Sequence, residues 1–246
     1  MEDLTARQIE ILKAIILEYT ETGEPVGSLI LEKKYKLGYS PATIRNEMVE
    51  LARKGYLKKT HFSSGRVPSA RGFRFYIGNL MKEKELSTVD EVAYKNSIWD
   101  ERSERHRLLY HATRYLAERT GLLSLTVTED GDVYYAGMAN LLSKDEFLDL
   151  NLSRSLFGLL DQSSYWETIL KQIIKQEEDL LYLLGEEDFR SPTFEACASV
   201  FGEFEGGASK GIIGVVGPKR MYYESVVPQI RYFSHLIEEI MRQQNL

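Results

Sequence analysis

The strongest structural signal in the chain is the start of a helix at Ser40-Pro41. A serine at the N-cap accepts a backbone N–H of the first turn, and proline suits the first helical position because it lacks the N–H that would stay unbonded there. From this start Ile44, Met48 and Leu51 recur at i, i+4 and i+7, which predicts that one side of the helix is buried.

Two further helical segments precede this third helix. Thr5 and Gln8 have the spacing of a capping box, and an amphipathic pattern follows them. Ser28 can cap a second, short helix at Leu29–Tyr35. Three short helices in succession fit a helix-turn-helix unit, and they also fit an ordinary three-helix bundle with a solvated outer face.

The side of the third helix that lies opposite its buried stripe carries residue types that read DNA bases. Asn and Arg can bond base edges in a major groove, and small apolar side chains can contact a thymine methyl. Counting from the helix start, the candidate contacts on this side are Ser40, Ala42, Thr43, Arg45, Asn46, Val49 and Arg53.

A β-hairpin is predicted directly after the third helix. Gly55 ends the helix, Tyr56–His61 is predicted as a strand, Phe62–Gly65 as a turn, and Arg66–Pro68 as the returning strand. A hairpin in this position is typical of a winged helix, so the pattern favours DNA binding over a plain bundle. The candidate contacts to phosphates or the minor groove are Lys54, Lys58, Lys59, Ser63, Ser64, Arg66, Arg71 and Arg74.

The charge is distributed unevenly along the chain. The net charge is −6, yet residues 1–80 hold 13 Lys/Arg against 9 Asp/Glu, which leaves −10 for the remainder. A basic segment on an acidic body is how a regulator presents one surface to DNA, although charge alone fits a solvated helical face equally well.

Four segments of the first eighty residues resemble one family. GEPVGS (23–28), SPATIRNEM (40–48), SGRVPS (64–69) and GFRFY (72–76) resemble the N-terminal domain of the HrcA family, heat-inducible repressors of chaperone genes. The resemblance implies binding as a homodimer to an inverted-repeat operator in double-stranded DNA, and feedback from the GroE chaperonin.

The rest of the chain predicts a helical linker followed by an antiparallel sheet with flanking helices. A helix is predicted over Met81–Arg107, running into Leu108–Arg119, and Pro228 is expected to open a final helix. Between them the predicted elements are strands Leu122–Thr128, Val133–Ala136, Leu180–Leu184, Phe194–Phe204 and Gly211–Val216, and helices Lys144–Gln162 and Tyr165–Gln176.

The predicted fold class is therefore α+β. A winged helix-turn-helix domain (1–78) is joined by a helical linker (79–106) to an antiparallel-sheet domain (107–246). GMANLLSKDEF (137–147) and GIIGVVGPKRMYY (211–223) resemble the GAF-like regulatory domain of the same family, so the resemblance implies that this second domain is GAF-like. The chain passes from Thr128 to Val133 through a tight turn, where the family resemblance implies an inserted dimerisation domain that is missing here. We expect the last helix or the linker helix to supply the dimer contact.

No catalytic or cofactor site is expected. His106 and His111 are five residues apart, which does not suit a helical metal pair, and Cys197 in a predicted strand is interpreted as a small buried hydrophobe. We expect a cytoplasmic DNA-binding repressor with no cofactor and no membrane contact. Two other classes remain: a ligand-sensing regulator with its effector in the C-terminal domain, and an enzyme with an accessory winged helix.

Overall fold

The structure is a computed structural model that describes residues 4–59, 65–162, 165–166, 168–170, 179–207 and 209–244. The chain divides into two compact units. The first extends to Lys82 and includes the short segment Arg220–Tyr223, and the second comprises 83–219 and 224–246.

The first unit is built from helices and one small hairpin. Thr5 and Gln8 form the predicted capping box, with each side chain bonded to the other residue's backbone N–H at 3.2 and 3.3 Å. Ser40 Oγ accepts the Thr43 N–H at 3.2 Å, and Pro41 is the first helical residue, as predicted. The elements are α1 (Ala6–Thr22), α2 (Ser28–Tyr35), α3 (Pro41–Arg53), β1 (Leu57–Lys59), β2 (Arg66–Pro68) and α4 (Ala70–Asn79).

The core of the first unit confirms the predicted stripe on α3. Ile44 and Leu51 are fully buried and Met48 is 4% exposed. They are buried together with apolar residues of α1, among them Ile11 and Ile15. This packing fixes which side of α3 is available to solvent.

The predicted linker helix is wrong as a single element. Residues 81–87 are not helical, α5 runs over Thr88–Trp99, and α6 begins only at Arg105 and ends at Thr120. Ser87 accepts the Asp90 N–H at 3.1 Å and so caps α5 as an independent start. The charge-rich segment has helical propensity throughout, but this local capping interrupts it.

The second unit contains a five-stranded antiparallel sheet in the order β4-β3-β7-β6-β5. Its strands are β3 (Leu123–Thr128), β4 (Val133–Ala136), β5 (Leu180–Leu184), β6 (Cys197–Gly206) and β7 (Ser209–Pro218). The β3–β4 hairpin turns at Asp130-Gly131, where Gly131 has a φ of 90°. Only glycine adopts such an angle without steric cost, which explains why the predicted turn forms here.

Several predicted elements of this unit have different bounds. Asp145–Leu148 is a separate 3-10 helix before α8 (Leu150–Leu160), because Asp149 starts a new capped helix. Pro192–Phe194 is another 3-10 helix, and β6 begins after it. The remaining helices are α7 (Met138–Leu142), α9 (Gly185–Phe189) and α10 (Tyr223–Gln244). The predicted helix Tyr165–Gln176 lies largely outside the described residues.

Pro228 does not open the final helix but lies inside it. Proline has no N–H, so it cannot bond the carbonyl oxygen of Glu224 one turn earlier. The Lys84 N–H donates to that oxygen at 2.8 Å. The carbonyl that proline leaves without a helical partner is thus satisfied from outside the helix, and α10 can continue through Pro228.

The sheet of the second unit has a filled apolar face. Leu125, Phe201, Ile212 and Val216 belong to a continuous buried cluster that also includes Trp166. Cys197 lies in this cluster at 0% exposure, which confirms that it is a buried hydrophobe, and burial raises the pKa of its thiol. A raised thiol pKa disfavours the reactive thiolate.

Candidate nucleic-acid interface

The hairpin after α3 is anchored by the turn between α1 and α2. Strands β1 and β2 pair antiparallel, with Lys59 opposite Arg66. Val26 adds to the far side of β2: the Val26 N–H donates to the Arg66 oxygen at 2.9 Å, and the Arg66 N–H donates to the Val26 oxygen at 3.0 Å. The base of the hairpin is therefore held in register by a third piece of chain from forty residues earlier.

Gly65 permits this close approach. A Cβ at this position would lie 2.8 Å from the backbone carbonyl carbon and oxygen of Pro25 and 2.9 Å from its Cβ. Such distances are sterically forbidden, so any larger residue would push the hairpin away from the turn. The predicted contacts Ser63 and Ser64, just before Gly65, lie outside the described residues.

The other end of the hairpin is fixed by α4. The Ser69 hydroxyl donates to the Gly55 carbonyl oxygen at 2.6 Å and accepts the Gly72 N–H at 3.0 Å. The Ser69 N–H donates to the Tyr56 oxygen at 3.0 Å, and a Cβ on Gly72 would collide with that same oxygen. Helix α3, the hairpin and α4 therefore form one connected framework.

The outer side of α3 presents the predicted base-reading side chains to solvent. Ala42, Arg45, Asn46 and Val49 are exposed, and Val49 is 48% exposed despite being a large apolar residue. Arg53 is exposed too and forms an ion pair with Glu50 at 2.9 Å. Such a surface pair contributes at most about 1 kcal/mol, so it opposes a new contact only weakly.

Ser40 and Thr43 contact each other at the start of α3. Their hydroxyl oxygens are 3.0 Å apart, and Thr43 is half-buried. The Ser40 hydroxyl caps the helix, and Ser40 itself is exposed.

A groove of about 390 Å³ brings α3 and the hairpin together. It combines cationic and apolar groups, and its lining residues are Gly27, Ser28, Leu29, Arg45, Met48, Val49, Lys59 and Arg66. Three positive side chains beside exposed aliphatic groups suit a polyanion that also carries apolar edges, which is the chemistry of a DNA major groove.

The start of α2 is the part of this groove that the sequence interpretation missed. Ser28 was predicted as an N-cap, but Gly27 is the capping residue, no side chain caps this helix, and Ser28 is 6% exposed. Leu29 was predicted as an ordinary helical residue, yet it is 57% exposed and lines the groove. In the sequence, the GEPVGS segment (23–28) could have indicated this part of the groove, because it is a recognisable motif that contains none of the predicted core residues.

The predicted basic residues divide into two groups. Lys59 and Arg66 line the groove, whereas Lys58 is half-buried and lies on the alternate side of its strand. Lys54 donates to Gln8 Oε1 at 3.1 Å, and the Arg71 guanidinium donates to the Lys54 carbonyl oxygen and lies 4.7 Å from the Tyr56 ring centre. Arg74 is exposed on α4.

The described residues contain no cluster of three or more His, Cys, Asp or Glu side chains that could hold a metal ion. His106 instead contacts the Tyr134 hydroxyl, and His111 lies 3.7 Å from Glu101. Across the same parts of the chain, no helix is both long enough and apolar enough to cross a membrane.

Comparisons with known proteins agree on one family. A family model described as the HrcA protein C-terminal domain matches residues 68–227. The heat-inducible transcription repressor HrcA of Desulforudis audaxviator is 26% identical over 335 aligned positions, which cover 96% of this chain and 97% of that protein. The repressor of the same name from Clostridium tetani is 40% identical over 144 positions, or 58% of this chain and 41% of that protein.

The alignment with the Desulforudis protein also reveals a length difference. Its 335 positions exceed the 246 residues of this chain, so at least 89 positions of that relative lie opposite gaps. A solved structure described as a hypothetical protein, at 2.2 Å resolution, matches 98% of this chain and 100% of its own length with a TM-score of 0.81 and 18% identity. At that identity the match supports the fold alone.

Proposed function

This chain belongs to the HrcA family, and we propose that it is a heat-inducible transcription repressor that binds operator DNA through its first unit. One observation carries the proposal. The groove places Arg45 and Val49 of α3 beside Lys59 and Arg66 of the hairpin, so a base-reading face and a phosphate-binding edge are continuous.

Helix α3 is the proposed recognition helix in the major groove. Arg45 presents paired donors to base edges and Asn46 presents a donor and an acceptor, while Ala42, Thr43, Val49 and Arg53 complete the reading face. Ser40 sets the helix start. The apolar stripe on the other side of α3 anchors the helix, so the reading face is held rigidly against the DNA.

The hairpin and the start of α2 are the proposed backbone-binding elements. Lys59 and Arg66 neutralise phosphates, and the N-terminal end of α2 adds the partial positive charge of a helix dipole. Lys54, Lys58, Arg71 and Arg74 are proposed as further phosphate contacts, together with the hydroxyls of Ser63 and Ser64. The bonds between Val26 and Arg66 preorganise this edge, so little conformational entropy is lost on binding.

Repression then needs no chemistry, because a protein bound at an operator blocks access to it. We propose that the chain acts as a homodimer on an inverted repeat, since a twofold-symmetric protein matches a palindromic site. The family resemblance extends the proposal to the GroE chaperonin as a protein partner. The ligand-sensing alternative has no supporting observation, because the buried cluster of the second unit fills the sheet face in the described residues.

Selection of bound duplexes from a random DNA pool tests this function. The full chain should enrich an inverted repeat, and a variant carrying Arg45→Ala and Asn46→Ala should enrich a degenerate site or none. Recovery of unrelated sequences by the unmodified chain would overturn the proposal. An equal consensus from both proteins would reject α3 as the reading element.

A further inference from the structure

Helix α6 carries a stripe of side chains that its own unit covers only in part, since Arg107 and His111 contact Glu101. Arg107, Tyr110, His111, Arg114 and Glu118 recur every three or four residues along this helix, which we call the α6 stripe. At 100° per residue they fall within an arc of about 100°. The opposite side of the helix is buried, with Leu108, Leu109, Ala112, Thr113 and Leu116 all at 0% exposure.

Four of the five side chains of the stripe are substantially exposed, and His111 is half-buried. Tyr110 is 46% exposed, and the side chains of Arg107, Arg114 and Glu118 are 57%, 51% and 61% exposed. Tyr and Arg are the residue types most enriched where protein surfaces meet. Residues 81–246 carry a net charge of −10, so a stripe with two arginines around an exposed ring differs in charge from the rest of its unit.

The order of residues along the stripe is complementary to itself in the antiparallel direction. Arg107 is near one end and Glu118 near the other, and the midpoint between them lies between Ala112 and Thr113. A twofold axis at that midpoint brings Arg107 level with Glu118 of a second copy. It also brings Tyr110 to within about one helical rise, 1.5 Å, of the level of Arg114 of that copy. Each contact then occurs twice, as an isologous interface requires.

The two kinds of contact, between arginine and a tyrosine ring and between arginine and glutamate, already occur within a single α6. Within one α6, the Arg114 guanidinium carbon lies 5.7 Å from the Tyr110 ring centre, and Arg114 is 3.7 Å from Glu118. A parallel pairing in register would instead set Arg107 against Arg107 and Glu118 against Glu118. Like charges in these positions repel, so the stripe favours the antiparallel arrangement.

The last helix, which the sequence suggested as a dimer contact, lacks such a face. Ile230, Phe233, Ile237 and Met241 of α10 are all 0% exposed, so its apolar side is buried inside the chain. The exposed side of its C-terminal half is polar, with Glu239 and Arg242. Helix α6 also lies beside the edge strand β4, where the Tyr134 hydroxyl contacts His106, so a contact centred on α6 can extend along this edge.

We propose that two copies of this chain associate through antiparallel packing of their α6 stripes, with Arg107 of each copy opposite Glu118 of the other. This interface supplies the dimer that the operator binding proposed above requires, and its biological role rests on that proposed function. The contact itself depends only on the second unit.

Charge reversal tests the pairing in the full chain by sedimentation velocity without DNA. Arg107→Glu and Glu118→Arg each create two like-charge contacts, so each single variant should weaken dimerisation by about tenfold or more, which corresponds to about 1.4 kcal/mol. The double variant regenerates both opposite-charge contacts and should recover most of the lost affinity. Tyr110→Ala should also weaken the dimer, because it removes the central ring.

Matched controls come from the i,i+4 pair of α10 formed by half-buried Glu238 and exposed Arg242, whose reversal should leave the dimer unchanged. Arg107 also bonds Glu101 in its own chain, so circular dichroism must show that the single variants stay folded. Glu118 pairs with Arg114 of the same helix at 3.7 Å, so Glu118→Arg does not break the Arg107–Glu101 bond and is the cleaner variant.

The outcomes separate the interface from the function. A monomeric unmodified chain, single variants that dimerise normally, or a double variant that fails to recover would each overturn the α6 pairing. Binding of each variant to a single operator half-site is measured alongside. If the unmodified chain does not bind a half-site specifically, the DNA-binding proposal is rejected. The α6 pairing is then still judged by sedimentation alone.

Discussion

Val26 and Arg66 exchange both of their backbone hydrogen bonds, at 2.9 and 3.0 Å, although forty residues separate them in the chain. This pair joins the turn before α2 to the hairpin after α3. It places two recognisable sequence segments, GEPVGS and SGRVPS, against each other. The orientation of the hairpin relative to α3 therefore depends in part on Val26, which is not among the proposed DNA contacts.

Gly65→Ala should disturb this junction. The added Cβ would meet the backbone of Pro25 at 2.8 Å, so we expect the first unit to lose about 1–3 kcal/mol of stability and DNA affinity to fall for every sequence. Thermal unfolding and duplex titration measure the two effects. Gly78→Ala is the control, since a Cβ there has nothing within 4 Å, and it should keep affinity while stability stays the same or rises slightly, because alanine favours a helix over glycine. Equal behaviour of the two variants would contradict the role of Gly65.

Asn46→Ala and Arg45→Ala should reduce discrimination between operator and random DNA. Each removes side-chain donors from the exposed side of α3, and we expect a loss of about 1–3 kcal/mol on the specific site. Competition binding with the selected operator and a scrambled duplex gives the ratio. Lys13→Ala, on an exposed position of α1, serves as the control. An unchanged ratio in Asn46→Ala would remove that residue from the reading face.

Lys59→Ala should weaken binding to all sequences. Lys59 lines the groove, so its loss should lower the slope of log affinity against log salt by about 1. Lys13→Ala is the comparison, because Lys13 is exposed on α1 and is not among the proposed phosphate contacts. Titrations at several salt concentrations distinguish them. Identical slopes would argue against the groove as the phosphate-binding edge.

Tyr35 makes the first unit sensitive to alkaline pH. Burial, together with the hydrogen bond that its hydroxyl donates to Glu18 at 3.0 Å, raises the pKa of Tyr35 to about 12. The unfolded chain loses this proton near pH 10, whereas the folded chain keeps it. The stabilising contribution is therefore complete below pH 10 and is lost as the pH rises from about 10 to 12.

Unfolding temperatures between pH 9 and 12 check this expectation. The unmodified chain should lose stability more steeply across the upper part of that range than Tyr35→Phe. Tyr222→Phe, at a tyrosine that is 50% exposed, should follow the unmodified chain. Parallel curves for all three proteins would show that Tyr35 does not contribute.

The sequence alone determined the local elements of the first unit. Ser40 and Pro41 start α3, Thr5 and Gln8 start α1, and the Ile44–Met48–Leu51 stripe is buried, because each signal acts within one or two helical turns. The same locality made the exposed side of α3 predictable. It also made the linker prediction wrong, since helical propensity over 81–107 did not reveal the break before Ser87.

Only the tertiary structure decided how those elements meet. The Val26–Arg66 pair and the exposure of Leu29 depend on contacts between distant parts of the chain, so no local pattern encodes them. The helical bond that Pro228 cannot make within α10 is replaced by Lys84, far away in sequence, which donates to the carbonyl oxygen of Glu224. The Val26–Arg66 pair, the exposure of Leu29 and the position of Pro228 share one physical reason. Local hydrogen bonding and periodicity select helices and strands, but burial and long-range pairing select which of their surfaces remain available for binding.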